Sequence, residues 1–218
     1  MDAAPTRNRV PSQGRAVRTR AALVAAAATE FATGGYAATT ARRIAARAAA
    51  ATGSFYQYFT CKDEVLRELA GTRQDALVDR ALGLVEAGAA QRASDVRARL
   101  RAVIDAVIEY HAADAGLHAV ITERRHADPA LDALITAGER RLLDRIAAVL
   151  GRWGHAGDRT ATAFILLATL EGAVHAHVLG HPVVDDRRFV DALAEALLRI
   201  ALPSSPSPQE NPSWPSST

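Results

Sequence analysis

The sequence predicts an all-α fold, and three observations carry that expectation. Alanine and leucine supply much of a hydrophobic fraction of 49%, and both are strong helix formers. Alternating Val, Ile and Thr of the kind that marks half-buried strands is almost absent. Helix stop and start signals recur along the chain, among them Gly34-Gly35, Thr39-Thr40 and Asp128-Pro129. At 218 residues the chain can form one large domain or a small and a medium one.

Residues 1–17 are polar, carry Pro5, Pro11 and Gly14, and read as a flexible basic arm with no signal peptide. A first helix is expected over 18–32, with Leu23, Phe31 and intervening alanines as its apolar stripe, and Gly34-Gly35 stops it. Thr39 or Thr40 then offers a hydroxyl cap to a second helix that runs through Ala48. A turn near Ala49-Ala50 leads to a third helix ending about Phe59. Thr60 caps a fourth, whose first turn holds Asp63 and Glu64, where carboxylates complement the helix dipole. That helix continues to about Gly83 or Gly88.

Further helices are expected over 94–112, 115–126 and 128–150, the last with Pro129 at the favoured first position. A loop spans 151–157. The helix over 158–179 is apolar on nearly all sides through Phe164, Ile165, Leu166, Leu167, Leu170 and Val174. Such a helix must be covered on every face, and in a chain this small a second copy is the simplest cover. Glu171, His175 and His177 make it too polar for a confident membrane span. A last amphipathic helix over 186–202 carries Phe189, Leu193, Leu197 and Ile200 on one stripe, and the Pro/Ser-rich tail 203–218 reads as disordered. A soluble, cytoplasmic protein is expected.

Charge divides the chain. Residues 1–62 carry nine Lys/Arg against only Asp2 and Glu30, a surplus of seven, whereas the whole chain has a net charge of +2. A basic first quarter on an acidic body suggests that the first part meets a polyanion. A basic tail without a partner is the bland alternative. The abundance of arginine reflects base composition more than function, but against it Lys62 is the only lysine. Cys61 is the only cysteine, so no intrachain disulfide or cysteine metal cluster can form.

Residues 39–66 read as a helix-turn-helix. The first helix of such a unit braces against the DNA backbone, and the second presents side chains to the major groove. Ile44, Ala45 and Ala48 would face inward, with Arg42, Arg43 and Arg47 outward; Phe55 and Phe59, four apart, would face the core. The reading helix would show Thr52, Ser54, Gln57 and Tyr58, and Gly53 would let the backbone approach closely. Hydroxyls and glutamine can bond base edges or phosphates, while Tyr56 and Lys62 offer phosphate contacts that set register. Tyr56 and Tyr58 also read as packing aromatics, and Lys62 in isolation as an ordinary solvated residue. Four of the chain's eleven aromatics fall within Phe55 to Phe59, which favours a built unit.

Phe31, Gly34-Gly35-Tyr36, Thr39-Thr40, Ile44-Ala45, Gly53-Ser54-Phe55-Tyr56, Tyr58-Phe59 and Lys62 together resemble the N-terminal signature of the tetracycline-repressor (TetR) family, over about residues 18–66. The resemblance implies a three-helix DNA-binding domain at 18–66 and a helical effector-binding and dimerisation domain at 67–202. It places phosphate contacts on Thr40, Tyr56 and Lys62, and base contacts on Arg42, Thr52, Ser54, Gln57 and Tyr58. Two positions depart from the family pattern: Ala49 stands where glycine is usual, and Ala51 where a serine-type cap is usual. An alanine at φ > 0 costs about 1 kcal/mol, and Thr52 is a candidate to take over the cap.

The resemblance further implies a homodimer through 158–179 and 186–202, with reading helices about 34–36 Å apart on a near-palindromic operator. A small-molecule effector would act by a population shift, releasing a repressor from DNA. Candidate effector contacts are Tyr110, His111, His118, Glu123, His126, Phe164, Glu171 and His175, polar or aromatic groups set among apolar neighbours. Glu171 and His175 could bond a ligand, each other, or a second copy. Trp153 would line an entrance or cap the core. The histidines near Glu123 and Asp128 match no standard metal spacing, so no metal or cofactor is expected. An activator or an effector-independent regulator has the same sequence features. A helical enzyme lacks a nucleophile–base–orienter set, and a membrane- or RNA-binding module lacks the aromatic-flanked basic helix it would need.

Overall fold

The computed structural model describes residues 12–86, 92–180 and 182–202, which form nine helices and no strand among them. They are α1 (Ser12–Ala38), α2 (Ala41–Arg47), α3 (Thr52–Tyr56), α4 (Lys62–Glu86), α5 (Ala93–Ala113), α6 (Ala115–Arg125), α7 (Pro129–Arg152), α8 (Arg159–Val178) and α9 (Asp186–Ala201). Helix α1 begins at Ser12, so the part of the expected arm from Ser12 onward is helical. No proline follows Pro11 in this stretch, and Arg15, Ala16 and Arg18 favour a helix enough to carry Gly14 within it. The rest of that arm, and the tail from 203, lie outside the described residues.

Helix α1 is interrupted at Gly35, whose φ of 71° and ψ of 177° leave the helical region. Only glycine enters that region without steric cost, which is why the Gly34-Gly35 pair acts as the stop. Thr39 is fully buried and its hydroxyl donates to the Gly35 carbonyl at 2.7 Å, closing the turn.

The described residues divide into two compact units. The first comprises residues up to Leu77 together with Tyr110–Glu139. Its core gathers Leu23, Ala27 and Phe31 from α1, Ile44 and Ala45 from α2, Phe55, Phe59, and Val65, Leu66 and Leu69 from α4. Leu117, Val120 and Ile121 of α6 and Leu131 of α7 complete it. The unit therefore does not stop at residue 66. Helices α1 to α3 offer few large apolar side chains, and α6 supplies the cover they lack by packing on α1. At Gly116 the two backbones come so near that an added Cβ would lie 2.2 Å from the Ala32 carbonyl oxygen.

Asp128 starts α7 as the sequence predicts, its Oδ1 accepting from the Ala130 and Leu131 N–H groups at 3.0 and 3.3 Å. Arg67 Nε donates to its other oxygen at 2.8 Å.

The second unit comprises Val78–Glu109 and the residues from Arg140 onward. Helix α9 buries Val190, Leu193, Leu197 and Leu198 and packs on α8. Asp158 caps α8 through the Thr160 and Ala161 N–H groups, both at 3.0 Å. His155 donates from Nδ1 to the Ala201 carbonyl (3.1 Å) and its Nε2 lies 3.0 Å from Thr162 Oγ1, which ties the α7–α8 loop to the end of α9. Helix α8 buries Ala163, Leu166, Val174 and His177, but leaves Phe164 61% and Ile165 48% exposed. It is long and apolar enough to cross a membrane by length and composition alone. Glu171, His175 and His177 interrupt its apolar surface, and Arg159 and Glu171 are the only formal charges it carries.

Candidate nucleic-acid interface

The site is built on the first unit, from the α1 turn upward. Thr40 adopts an extended backbone at the start of α2, and its hydroxyl accepts from the Arg43 N–H at 3.2 Å. Ile44 and Ala45 are buried beneath it, so helical geometry puts Arg42, Arg43 and Arg47 on the outside, where all three are exposed.

Helix α2 ends at a turn in which Ala49 has a φ of 51°. This is the left-handed conformation the family pattern fills with glycine, and the chain carries it on alanine at a cost of about 1 kcal/mol. Ala51 then stands at the cap position of α3 without a side-chain bond. Thr52 does not replace it; it is the first residue of the helix. Helix α3 holds only five residues and ends at Tyr56, short of the expected Phe59.

Phe55 is fully buried and Phe59 nearly so, with ring centroids 5.6 Å apart. They hold α3 down from beneath. Above them Thr52, Gly53, Tyr56 and Gln57 are exposed, and Ser54 is half-buried. A Cβ at Gly53 would meet nothing within 4 Å, so internal packing gives no reason for glycine there. Tyr56 is 60% exposed and stands edge-on to Phe55. Tyr58 is half-buried against the core, which favours the packing alternative for that residue.

Lys62 is more constrained than its solitary position in the sequence suggests. Its Nζ donates to the carbonyls of Tyr36 and Thr39 at 2.7 and 2.9 Å and lies 3.8 Å from the Tyr36 ring centroid. Two of its three N–H donors thus hold the α1–α2 turn, and burial holds its pKa below the usual lysine value. Tyr36 donates its hydroxyl to Asp63 at 2.6 Å. Arg124 stacks on the Tyr36 ring at 4.0 Å and donates to Asp63 at 3.3 Å. Burial and the Asp63 carboxylate push the Tyr36 phenol up to about 12. Thr60 serves as a donor: its N–H and hydroxyl both go to Glu64, at 2.6 and 2.9 Å. Cys61 is exposed.

Glu30 is the residue the sequence reading missed. It is 4% exposed and accepts from Arg47 Nε at 2.6 Å and from Arg43 Nε at 2.7 Å. The Arg47 and Arg43 guanidiniums hold its carboxyl below the usual carboxylate range. A signal was present, because Glu30 is the only acidic residue between Asp2 and Lys62.

The candidate effector contacts fall in both units. In the first, Tyr110, His111 and His118 form an edge-on aromatic cluster, with His111 and His118 centroids 4.6 Å apart. Arg73 lies over the Tyr110 ring at 4.6 Å and donates to Asp114 at 3.2 Å. Glu123 and His126 are exposed at the end of α6, a correction to the expectation that they sit among apolar neighbours. The buried stripe of α6 is Leu117, Val120 and Ile121, and helical phase turns Glu123 away from it. In the second unit Glu171 and His175 are half-buried, while Phe164 is exposed, again off the buried stripe of its helix.

The sequence matches the family described as bacterial regulatory proteins, tetR family, over residues 23–69, and the tetracyclin repressor-like C-terminal domain over residues 95–199. No curated protein matches the chain. Among solved structures, it is similar to a TetR-family transcriptional regulator, so described, from Mesorhizobium loti MAFF303099 (TM-score 0.70, 21% identity, covering 84% of this chain and 96% of that one). It is also similar to the fatty acid degradation regulator FadR from Bacillus halodurans (0.67, 23%, 83% and 95%). A bacterial regulatory protein of the tetR family from Rhodococcus RHA1 is a third (0.64, 21%, 86% and 98%). With both family regions matched in order along the chain, and with the braced α2–α3 unit in place, the protein belongs to the TetR family of DNA-binding transcriptional regulators and is not an enzyme.

Proposed function

We propose that the chain is a cytoplasmic homodimeric repressor that leaves a near-palindromic operator when a small-molecule effector binds. The observation that carries this reading is the layered α2–α3 unit: Phe55 and Ile44 fully buried below, Arg42, Thr52, Tyr56 and Gln57 exposed above. In this reading Thr40, Tyr56 and Lys62 contact phosphates, and Arg42, Thr52, Ser54 and Gln57 contact bases, with Gly53 giving the backbone close approach and Tyr58 packing beneath. Tyr110, His111 and His118 are the effector contacts proposed for the first unit, and Glu171 and His175 those proposed for the second. The uncovered apolar residues of α8, with α9, supply the dimer face.

Selection of bound genomic fragments gives the operator, and its neighbouring genes give the effector class to be tried for release. Gln57→Ala is expected to relax sequence preference, costing about 1–3 kcal/mol of discrimination at one base pair. Lys62→Ala is expected to weaken binding to every duplex alike, both through its remaining N–H and by loosening the α1–α2 turn. Parent-like binding of the operator by both variants would remove this assignment of contacts.

A further inference from the structure

We propose that Arg43 and Arg47 are a pair of phosphate contacts held in position by Glu30, which makes Glu30 a positioning residue of the DNA interface. The proposal rests on the regulator reading above and adds to it. A buried carboxylate needs one cation for neutrality, yet Glu30 has two, bound to opposite oxygens. The triad therefore keeps one net positive charge, and it keeps it at the surface. Both ion pairs use Nε, and both arginine side chains remain about half exposed, at 52% and 45%. Neither arginine makes an Nη hydrogen bond among the described residues, so the outer donors of each fork stay available. A guanidinium fastened through one edge and open at the other matches the fork geometry that phosphate oxygens take.

Like charges four apart on a helix repel each other. The Glu30 carboxylate between Arg43 and Arg47 offsets that repulsion and limits the rotamers each can adopt. Ordering is then complete before DNA arrives, so less freedom is lost on binding. Arg42, which has no such brace, lies next in sequence on the same exposed run and stands as the internal contrast.

The test measures binding of the full chain to its selected operator and to an unrelated duplex across a salt series. Arg43→Ala and Arg47→Ala should each reduce the log–log salt slope by about 1.8, one contact in each protomer of the dimer, and weaken both duplexes to the same degree. Arg43→Lys and Arg47→Lys should not restore the parent slope, because an ammonium is a compact point charge that, held at the buried Glu30, lacks the outer fork that takes phosphate oxygens. Glu30→Gln adds a positive charge yet should weaken binding about as much as losing one arginine. It should have no further effect once both arginines are alanine. That triple variant strands no buried charge, and it keeps the comparison open if a single variant melts early by circular dichroism. Tighter binding with a steeper slope in Glu30→Gln would mean the carboxylate only masks the arginines and would overturn the proposal. Parent slopes in the arginine variants would overturn it as well. A parent chain that binds no duplex would overturn the regulator reading together with it.

Discussion

At the scale of single residues, the first unit is held by charged groups that are tied down at chosen atoms. Asp128 has three ties: two backbone N–H groups at the start of α7 and the Arg67 guanidinium. Arg67 first, and the Leu131 and Ala130 N–H groups after it, hold the Asp128 carboxyl below the usual carboxylate range against the opposing effect of burial. A depressed carboxylate contributes stability above its unfolded pKa, about 3.9, and loses it as pH falls through the folded value. Asp128→Asn keeps the shape and removes the charge, so it should cost about 2 kcal/mol at neutral pH from the cap and the ion pair together. The difference from the parent should shrink below about pH 4. Urea unfolding of both proteins between pH 7 and pH 3 checks this; a difference that stays constant with pH would show that the ionised carboxylate is not what stabilises the fold.

At the scale of elements, α6 belongs to the same compact unit and the same core as α2. Gly116 lets α6 lie against α1, and Arg124 at the far end of α6 stacks on Tyr36 beside the Lys62 anchor. An alanine at 116 would put its methyl into the Ala32 carbonyl, and backbone cannot swing aside as a side chain can. Gly116→Ala should therefore destabilise the fold by about 1–3 kcal/mol, more than offsetting the alanine's better helix propensity of about 1 kcal/mol. An unchanged urea midpoint would mean the helices part freely there. Much of this architecture is legible in sequence where spacing carries it. Phe55 and Phe59 sit four apart, Thr40 and Asp128 precede helices, and Gly35 and Ala49 mark turns that take positive φ. What spacing does not carry is the partner across the fold. Periodicity places Glu30 on α1 but says nothing of two arginines thirteen and seventeen residues on. Gly116 likewise reads only as a weak helix residue until α1 lies beside it. The short α3 is half legible, since Ala49 and Ala51 signal a poor start while the helix length depends on how the aromatics below it pack.

At the scale of the whole molecule, the single chain leaves an apolar face unfinished. Phe164, Ile165 and Leu179 are 61%, 48% and 45% exposed in the second unit, and Val183 beyond them is almost fully so. The buried residues of α8 are Ala163, Leu166, Val174 and His177, so these exposed residues lie on other sides of the helix or just past its end. A second copy that covers them once covers them twice, because a two-fold interface uses the same patch on both chains. Burying one phenylalanine contributes about 1.5–3 kcal/mol, and the two copies double it. Phe164→Asp should then weaken dimerisation by about 3–6 kcal/mol, a hundredfold or more in Kd. Sedimentation velocity reads the oligomeric state, and far-UV circular dichroism shows whether the helices persist. The variant should be monomeric, fully helical, and poor at holding a two-half-site operator while still binding one half-site weakly. A Phe164→Asp protein that stays dimeric at the parent's Kd would place the dimer face elsewhere on the second unit, and the exposed residues of α8 would then need another cover.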